Sequence, residues 1–322
     1  MGKTKKVKKQ PISAFGPGPD AGPSKSQIPS KSTASTALGR LRSGSGNGTV
    51  VSRKITQSTI TRFHTLLKQQ ANLKRNLKAG REKDGDTEVQ GMWRQLDSIE
   101  QEMNELGGLN AYQIASTLGQ SKERGGDSSK VLVKWLEELG IKREKMAQNE
   151  KLRMLEIGAL VPDNYASCSK WIDNHPIDLH SQHPDILEQD FLERPLPSGE
   201  QNAFHVVSCS LVLNFVSSPA DRGKMLSLIH QQLRGESPSF LFLVLPLPCL
   251  TNSRYLTLNT FQEMMRIIGF TLEKEQWKSG GKVGYWLWRK TDSAAGDNDQ
   301  YRKKTVIQDG PKRNNFAVVL SS

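Results

Sequence analysis

The sequence predicts an α/β fold in which a layer of helices precedes the main β-sheet. From residue 151 onward, short apolar runs alternate with stretches of helical periodicity, which is the pattern of an α/β sheet. Between residues 55 and 140, apolar residues recur at steps of three and four, as they do in amphipathic helices. The residues before that range show neither pattern. We therefore expect three parts: a disordered basic tail over 1–54, a helical region over 55–150 and the α/β domain over 151–322.

The predicted tail carries most of the positive charge of the chain. The whole sequence has a net charge of +12, and residues 1–54 hold eleven lysines and arginines against a single acid, Asp20. These residues are also rich in Ser, Gly, Pro and Thr, with too few apolar side chains to form a core. A clustered basic tail favours contact with nucleic acid, and the stretch KKVKK fits a nuclear address. The alternative is a tail that only improves solubility.

The composition argues against several other classes of protein. Three cysteines without a CxxC pair fit neither a disulfide scaffold nor a structural zinc site, and they favour a reducing compartment. The chain has no run of 18 apolar residues, so we expect no membrane span. The basic start is not followed by an apolar segment, so we expect no secretory signal. His175, His180 and His183 lie close in sequence but lack an obvious fourth ligand, so we expect no metal.

The helical region is expected to begin with two helices that pack as a pair. Apolar side chains from Ile60 to Leu77 line one helix, and those from Val89 to Leu106 line the next. Basic residues on the outer face of the first helix can lie along RNA phosphates, or they are simply solvated. The region then predicts a short helix at 109–120, a loop at 121–130, a helix over VLVKWLEELG that Asp127 or Ser128 can cap and Gly140 ends, and a link at 142–151.

The α/β domain is expected to contain at least five strands separated by helices. These strands are predicted at 152–158, 177–181, 186–191, the start of 203–215, and 239–247. The helices are predicted at 219–234 and 257–270. Three further candidate strands, whose pairing the sequence does not determine, lie at 271–277, 283–290 and 315–320.

A glycine and an acid stand at the ends of the first two predicted strands. The strand LRMLEIG ends at Gly158, and Asp178 follows twenty residues later in IDLHS. In α/β sheets that bind nucleotides, a glycine at the first turn lets the backbone approach the ligand. An acid at the end of the next strand accepts hydrogen bonds from the ribose hydroxyls. The spacing therefore predicts that Gly158 and Asp178 bind a cofactor. A buried strand that merely ends in a glycine is the alternative.

The turn after Gly158 departs from the dinucleotide fingerprint. GxGxxG would require glycines where the chain has Leu160 and Asp163. Such a turn serves a pyrophosphate poorly, so NAD and FAD are disfavoured. S-adenosylmethionine has a ribose and an adenine but no phosphate, and its ammonium and sulfonium groups suit Glu156, the acid in the first strand. These residues favour a methyl-donor site.

Polar residues after the third and fourth predicted strands are further candidates. Asp190 is placed to accept a hydrogen bond from the adenine amine, with the ring of Phe191 stacked on the base; the alternative is a turn acid before a core phenylalanine. Ser210 and Asn214 are candidates near the reacting centre, or they cap the following helix. Cys249 lies in a proline-rich loop after the fifth strand, and we expect it to be a packed thiol rather than a nucleophile.

Several segments of the sequence, taken together, are more specific for one protein family than any single segment is. They are LGGLNAYQIASTLGQSKERGGDSSKVLVKWL, LRMLEIGAL, IDLHSQHPDILEQDFLERPLP, SLVLNFV and DGPKRNNFAVVL. Over about residues 88–320, the chain with these segments resembles the fungal adenine-N(1)-methyltransferases of large-subunit (25S) ribosomal RNA. RGGDSSK followed by KLRMLEIGAL is not a general methyltransferase pattern, so the combination is specific.

The resemblance implies a class I (Rossmann-like) S-adenosylmethionine-dependent methyltransferase fold and an enzyme of the nucleus and nucleolus. Its partner would be large-subunit rRNA or a pre-ribosomal particle. Gly158 and Asp178 match the family's cofactor-binding positions. The resemblance identifies no catalytic base, and the chemistry does not require one. Adenine N(1) already has a lone pair, so methyl transfer depends on positioning and desolvation.

Two other functions stay open at this point. Distant animal relatives of the family are similar to sensors that report the level of S-adenosylmethionine to a nutrient-signalling complex. A non-catalytic sensor is therefore one alternative. A methyltransferase that acts on a protein or a small molecule is the other, because it would use the same cofactor residues. The basic tail favours the RNA enzyme over the sensor, which has no need of such a tail.

Overall fold

The structure, a computed structural model, describes residues 53–80, 86–108, 128–235, 238–292 and 299–320. The predicted tail lies outside these residues except for Arg53 and Lys54, and the helix predicted at 109–120 also lies outside them. No helix within the described ranges is long and apolar enough to cross a membrane.

A seven-stranded sheet forms the centre of the fold, in the order β3-β2-β1-β4-β5-β7-β6. The first five strands are parallel, and β7 runs antiparallel between β5 and β6. The strand order reverses between β1 and β4, where open α/β sheets bind their ligands. This is the topology of a class I, Rossmann-like methyltransferase fold, as the sequence predicts. The strands are β1 Leu152–Ile157, β2 Ile172–Asp178, β3 Leu187–Glu188, β4 Val206–Ser210, β5 Phe240–Pro246, β6 Phe270–Trp277 and β7 Val283–Lys290.

Two long helices precede the sheet in sequence and pack against each other, as predicted. Phe63 and Leu66 of the first helix and Leu96 of the second are buried, and Arg62 forms an exposed bidentate pair with Glu102. The apolar contact dominates, because an exposed ion pair contributes about 0–1 kcal/mol. The α-helices of the described ranges are α1 Arg53–Gly80, α2 Asp86–Glu105, α3 Ser128–Glu138, α4 Ile141–Ala147, α5 Pro219–Gln232, α6 Pro248–Thr251 and α7 Leu258–Ile268.

Helices cover both faces of the sheet. On one face, Leu132, Trp135 and Leu136 of α3 are buried against a cluster of strand side chains. Trp135 meets Phe242 of β5 edge to face, with the ring centroids 5.9 Å apart. On the other face, α5 and α7 bury the larger cluster, which includes Leu226 of α5. Because each face is covered, the central strand β5 is buried and apolar almost throughout, which makes it easy to find in the sequence.

The second strand and the link before β1 differ from the sequence expectation. β2 begins at Ile172 and ends at Asp178, rather than running from 177 to 181. Pro176 hides this strand in the sequence because proline lacks a backbone donor. The strand tolerates it because β3 pairs with β2 only from Ile177 onward. The predicted link at 142–151 is partly helical, since α4 fills its first half.

The segment 315–320, which the structure describes in full, is not a strand of the sheet, contrary to prediction. Residues 316–320 are all apolar, and Phe316, Ala317, Val318 and Leu320 are buried, so this apolar run imitates a buried strand. Its backbone instead bonds outside the sheet: Val319 N donates to Pro219 O at 2.9 Å. A short apolar run indicates burial but does not show what the segment pairs with, and here the segment lies along the start of α5.

Candidate active site

The carboxyl ends of β1, β2 and β4 bring most of the sequence-predicted residues to one edge of the sheet. Gly158 follows β1, Asp178 ends β2 and Ser210 ends β4. The register pairs Ile157 with Ile177, so Gly158 and Asp178 are neighbours across adjacent strands. This edge contains the reversal point of the strand order, where a ligand site is expected.

Gly158 occupies a turn that requires a glycine. Its φ is +76°, and a Cβ built on it would lie 2.3 Å from Cγ2 of Val212 in the loop after β4. The N–H groups of Gly158 and Ala159 both donate to the carbonyl of Ile177, at 2.8 and 3.1 Å. The missing side chain therefore lets two loops approach closely at the edge of the sheet.

Glu156 is buried beneath this turn and held by two amides. Its carboxylate accepts from Asn164 Nδ2 at 2.7 Å and from Asn174 Nδ2 at 2.8 Å. The side chain is 7% exposed, so these bonds are needed to offset the cost of burying a charge. Sequence reasoning identified Glu156 but missed both asparagines. Asn174 lies in the first part of β2, which Pro176 makes hard to recognise as a strand from the sequence. Asn164 lies in a loop whose sequence has no helix or strand periodicity.

A narrow polar cleft adjoins Gly158 and Glu156. Ser128 Oγ and Ser210 Oγ lie 2.9 Å apart across it, and Tyr165 Oη donates to Ser208 Oγ at 3.5 Å. Ser128 begins α3, so the N-terminus of this helix, with its partial positive charge, lies at the cleft. The cleft is lined by Ser128, Ser129, Glu156, Ile157, Gly158, Leu160, Asn164, Tyr165, Ser208 and Ser210. The sequence offers one signal for Ser128 and Ser129, which is their place in the segment RGGDSSK.

Asp178 is half-buried at the end of β2. Its Oδ1 accepts from the backbone N–H of His180 at 2.9 Å. Burial raises the pKa of this carboxyl, and the nearby Glu188 raises it further, while the bond from His180 opposes both. The side chain is thus an acceptor at the position that the sequence predicts, beside Gly158.

Asp190 caps a short 3₁₀ turn after β3. Its Oδ1 accepts from Leu192 N at 2.8 Å, and the next residue, Phe191, is buried in the core. These contacts match the alternative of a turn acid before a core phenylalanine. A carboxylate has about four lone-pair sites, so the cap leaves capacity for a ligand. An adenine-binding role for Asp190 stays a prediction.

The loop after β4 is strained and contains an unusual polar group. Leu211 has a φ of +58°, which is uncommon for a residue with a side chain, and its N–H donates to Val244 O at 2.9 Å. Strain of this kind concentrates at functional sites. Asn214 Oδ1 in the same loop is buried and has no hydrogen-bond partner within the described residues. Ser210 lines the cleft, whereas Asn214 does not.

The cysteines differ in burial, and the histidines are not gathered with other potential metal ligands in the described parts of the chain. Full burial raises the pKa of Cys209 to about 12, so its thiol stays protonated and inert. Cys249 is only half-buried, in α6. Within the described ranges, no group of three or more His, Cys, Asp or Glu side chains is placed to hold a metal. His175 instead pairs with Asp173 at 2.9 Å.

Comparison with known proteins identifies the family. The model of the Bmt2 family, described as 25S rRNA (adenine(2142)-N(1))-methyltransferase, matches residues 97–318. The chain belongs to the Bmt2 family. The family resemblance seen in the sequence motifs is thereby confirmed, and the matched range contains the whole sheet and the carboxyl-edge site.

Two curated Bmt2 relatives come from yeasts. The 25S rRNA (adenine(2142)-N(1))-methyltransferase of Saccharomyces cerevisiae is 35% identical over 266 residues, which cover 82% of this chain and 72% of the relative. The 25S rRNA adenine-N(1) methyltransferase of Schizosaccharomyces pombe is 39% identical over 226 residues, which cover 69% of this chain and 80% of the relative.

Proposed function

We propose that this protein transfers a methyl group from S-adenosylmethionine to N(1) of an adenine in 25S rRNA. The observation that carries the proposal is membership of the Bmt2 family over residues 97–318. Both yeast relatives are named as 25S rRNA adenine-N(1) methyltransferases. The sheet topology and the residues at its carboxyl edge support the same conclusion from the structure of this chain.

The residues at the carboxyl edge fit S-adenosylmethionine. Gly158 brings bare backbone to the edge, and Asp178 beside it can accept hydrogen bonds from the ribose hydroxyls. Glu156 places a buried negative charge beneath the turn, which suits a ligand with an ammonium and a sulfonium group. Asp190 is the proposed acceptor for the adenine amine. The N-terminus of α3 at the cleft favours a carboxylate, which the methionine part of the cofactor also carries.

In the proposed reaction, the protein must position the adenine and the cofactor, and it does not have to remove a proton. Bound S-adenosylmethionine supplies a methyl group on a sulfonium sulfur. The adenine N(1) that accepts it already has a lone pair, so the chain must expose the base edge, align it and exclude water. The methylated base is cationic, and an oxygen acceptor near it lowers the barrier. Ser210 Oγ, which lines the cleft at the end of β4, is our candidate for this role.

The proposed reaction can be measured with purified components. The full-length protein is incubated with methyl-labelled S-adenosylmethionine and with either naked 25S rRNA or large-subunit precursor particles, both from cells that lack the protein. We expect label in 1-methyladenosine after digestion to nucleosides, and the substrate that accepts it distinguishes rRNA from particle. Cofactor binding without transfer to either RNA, or label in another nucleoside, would refute the proposal.

The cellular setting is also part of the proposal. We propose that the protein acts in the nucleus and nucleolus, where pre-ribosomal particles are assembled. The support is the family substrate and the basic stretch KKVKK in the tail. Fluorescence microscopy of the full chain and of a chain without residues 1–54 tests this location. A cytoplasmic signal for the full chain would contradict it.

No observation favours the alternative of a non-catalytic cofactor sensor. The yeast relatives are named as methyltransferases, and neither name refers to a sensor. A methyltransferase for a protein or a small molecule would share Gly158 and Asp178 but not the match to a family defined by an rRNA substrate.

A further inference from the structure

Residues 299–320, which we call the C-terminal strap, border the loop that follows β5. Both backbone polar groups of Asn314 are hydrogen-bonded to this loop. Its N–H donates to Asn252 O, and its carbonyl accepts from Arg254 N, both at 3.0 Å. Its side chain donates to Pro248 O at 2.6 Å. Since the loop after β5 starts at the carboxyl edge of the sheet, the strap lies on the side where the acceptor base must enter.

Arg222 of α5 fastens the strap to the loop after β4 as well. Its guanidinium is 4% exposed and donates to Ala317 O of the strap at 2.6 Å and to Val216 O of the β4 loop at 2.9 Å. It also lies over the ring of Phe316, 4.5 Å from the centroid. Backbone carbonyls rather than carboxylates hold this cation, so its role is to join the two segments. The strap is thus fixed to both loops that flank the proposed methyl-transfer site.

The exposed lysines of the strap are not neutralised. Lys303, Lys304 and Lys312 are exposed, and none of them forms an ion pair within the described residues. Lys304 Nζ lies 4.2 Å from the centroid of the Tyr255 ring, which adds an aromatic face to the patch.

The acids of the strap are already engaged with arginines. Asp299 pairs with Arg302 at 3.2 Å, and Asp309 pairs with Arg254 at 3.5 Å. The lysines therefore leave a positive surface, which we call the lysine patch: Lys303, Lys304 and Lys312.

We propose that the lysine patch binds RNA phosphates and holds the RNA backbone beside the base that is methylated. The inference rests on the proposed function and assigns the RNA-binding surface of that site. Lysines act as mobile point charges that suit a phosphate backbone. The position beside both flanking loops favours the substrate RNA over an acidic protein. The terminal motif DGPKRNNFAVVL thereby acquires a function, because it contains both Lys312 and the anchoring Asn314.

Replacing the three lysines by glutamine, which is polar but uncharged and slightly shorter, tests the lysine patch. We compare the wild type with Lys303→Gln/Lys304→Gln/Lys312→Gln for binding to 25S rRNA across a series of salt concentrations. We expect the affinity at physiological salt to fall by at least about tenfold, and the slope of log K against log[salt] to become shallower by about 2 to 3. Cofactor affinity should be unchanged. The triple Lys→Arg variant should bind RNA like the wild type.

A matched control removes the same charge elsewhere. Arg143, Lys151 and Lys170 are exposed, form no ion pair within the described residues and lie in α4 or just before β1 and β2, at the opposite end of these strands. Replacing all three by Gln should leave the salt slope within about 1 of the wild-type value. The proposal would be overturned if both triple variants changed RNA affinity and its salt slope equally, or if the lysine-patch variant changed neither. The proposed methyltransferase function would still stand in that case, provided that the wild type methylates 25S rRNA. A wild type that neither binds nor methylates rRNA would overturn both.

Discussion

Replacing Gly158 by arginine is expected to abolish the binding of S-adenosylmethionine while the protein stays folded. The arginine side chain would occupy the space at the edge of the sheet where we propose that the cofactor approaches the protein backbone at Gly158. A side chain at a φ of +76° costs about 1–2 kcal/mol, and relieving its overlap with Val212 Cγ2 costs about 1–3 kcal/mol more; the sum stays within the 5–15 kcal/mol typical of a folded domain. Calorimetric titration measures the loss, and circular dichroism confirms the fold. A cofactor affinity equal to that of the wild type would remove Gly158 from the site.

The matched control for this variant separates backbone strain from blockage. Gly158→Ala introduces the same strain and the contact with Val212 Cγ2 at 2.3 Å, but little bulk beyond it. Gly158→Ala/Val212→Ala removes the methyl group that is contacted. We expect the double variant to bind cofactor more tightly than Gly158→Ala, and both to bind far better than Gly158→Arg. If Gly158→Ala alone abolishes binding, local distortion rather than blockage explains the arginine result.

Replacing Asp178 by alanine is expected to weaken cofactor binding by roughly 1.5–3 kcal/mol, the range for hydrogen bonds to a charged group. This corresponds to a loss of about 10- to 150-fold in affinity. Because the carboxylate also accepts from His180 N, Asp178→Asn, which keeps an acceptor oxygen, reports how much of the loss arises from the turn. Asp173→Ala is the matched control, since Asp173 lies near the other end of β2 and should not affect affinity. Equal affinities of Asp178→Ala and the wild type would refute the ribose assignment.

The same residue predicts a pH dependence. Burial places the pKa of Asp178 above its usual range, so the folded protein holds this proton more tightly than the unfolded chain does. Lowering the pH through that raised pKa therefore favours the folded, protonated state and removes the charged acceptor. Cofactor affinity should fall as the pH decreases toward this pKa in the wild type but not in Asp178→Asn. An identical pH profile for both proteins would contradict the assignment.

The sequence was sufficient for the features that depend on local pattern. The first strand and its glycine are readable because β1 is buried almost throughout and is mostly apolar, as expected of a parallel strand covered on both faces. The second strand was misread because Pro176 and its polar neighbours look like a turn, and only the absence of a β3 partner at that position permits them. The segment 315–320 differs from the expectation because a short buried apolar run has the same sequence pattern whether its neighbour is a strand or a helix.

The parts of the site that the sequence did not reveal depend on contacts between distant segments. The two asparagines that hold Glu156 come from positions 164 and 174. In the sequence, each looks like any polar residue on a protein surface, so neither could be assigned to Glu156. The approach of Val212 to Gly158 joins loops about fifty residues apart. The joining of the strap to the β4 loop by Arg222 spans 95 positions and has no local signature.

The central claim, that this protein methylates adenine N(1) in 25S rRNA at the Gly158 site, is tested most directly by reverse transcription in cells. A methyl group at N(1) blocks Watson–Crick pairing, so it stops or miscodes the copying enzyme at one position. We expect a stop in 25S rRNA that disappears when the protein is deleted, returns with the wild-type chain and does not return with Gly158→Arg. A profile that is the same with and without the protein, or a stop restored equally by Gly158→Arg, would contradict the account.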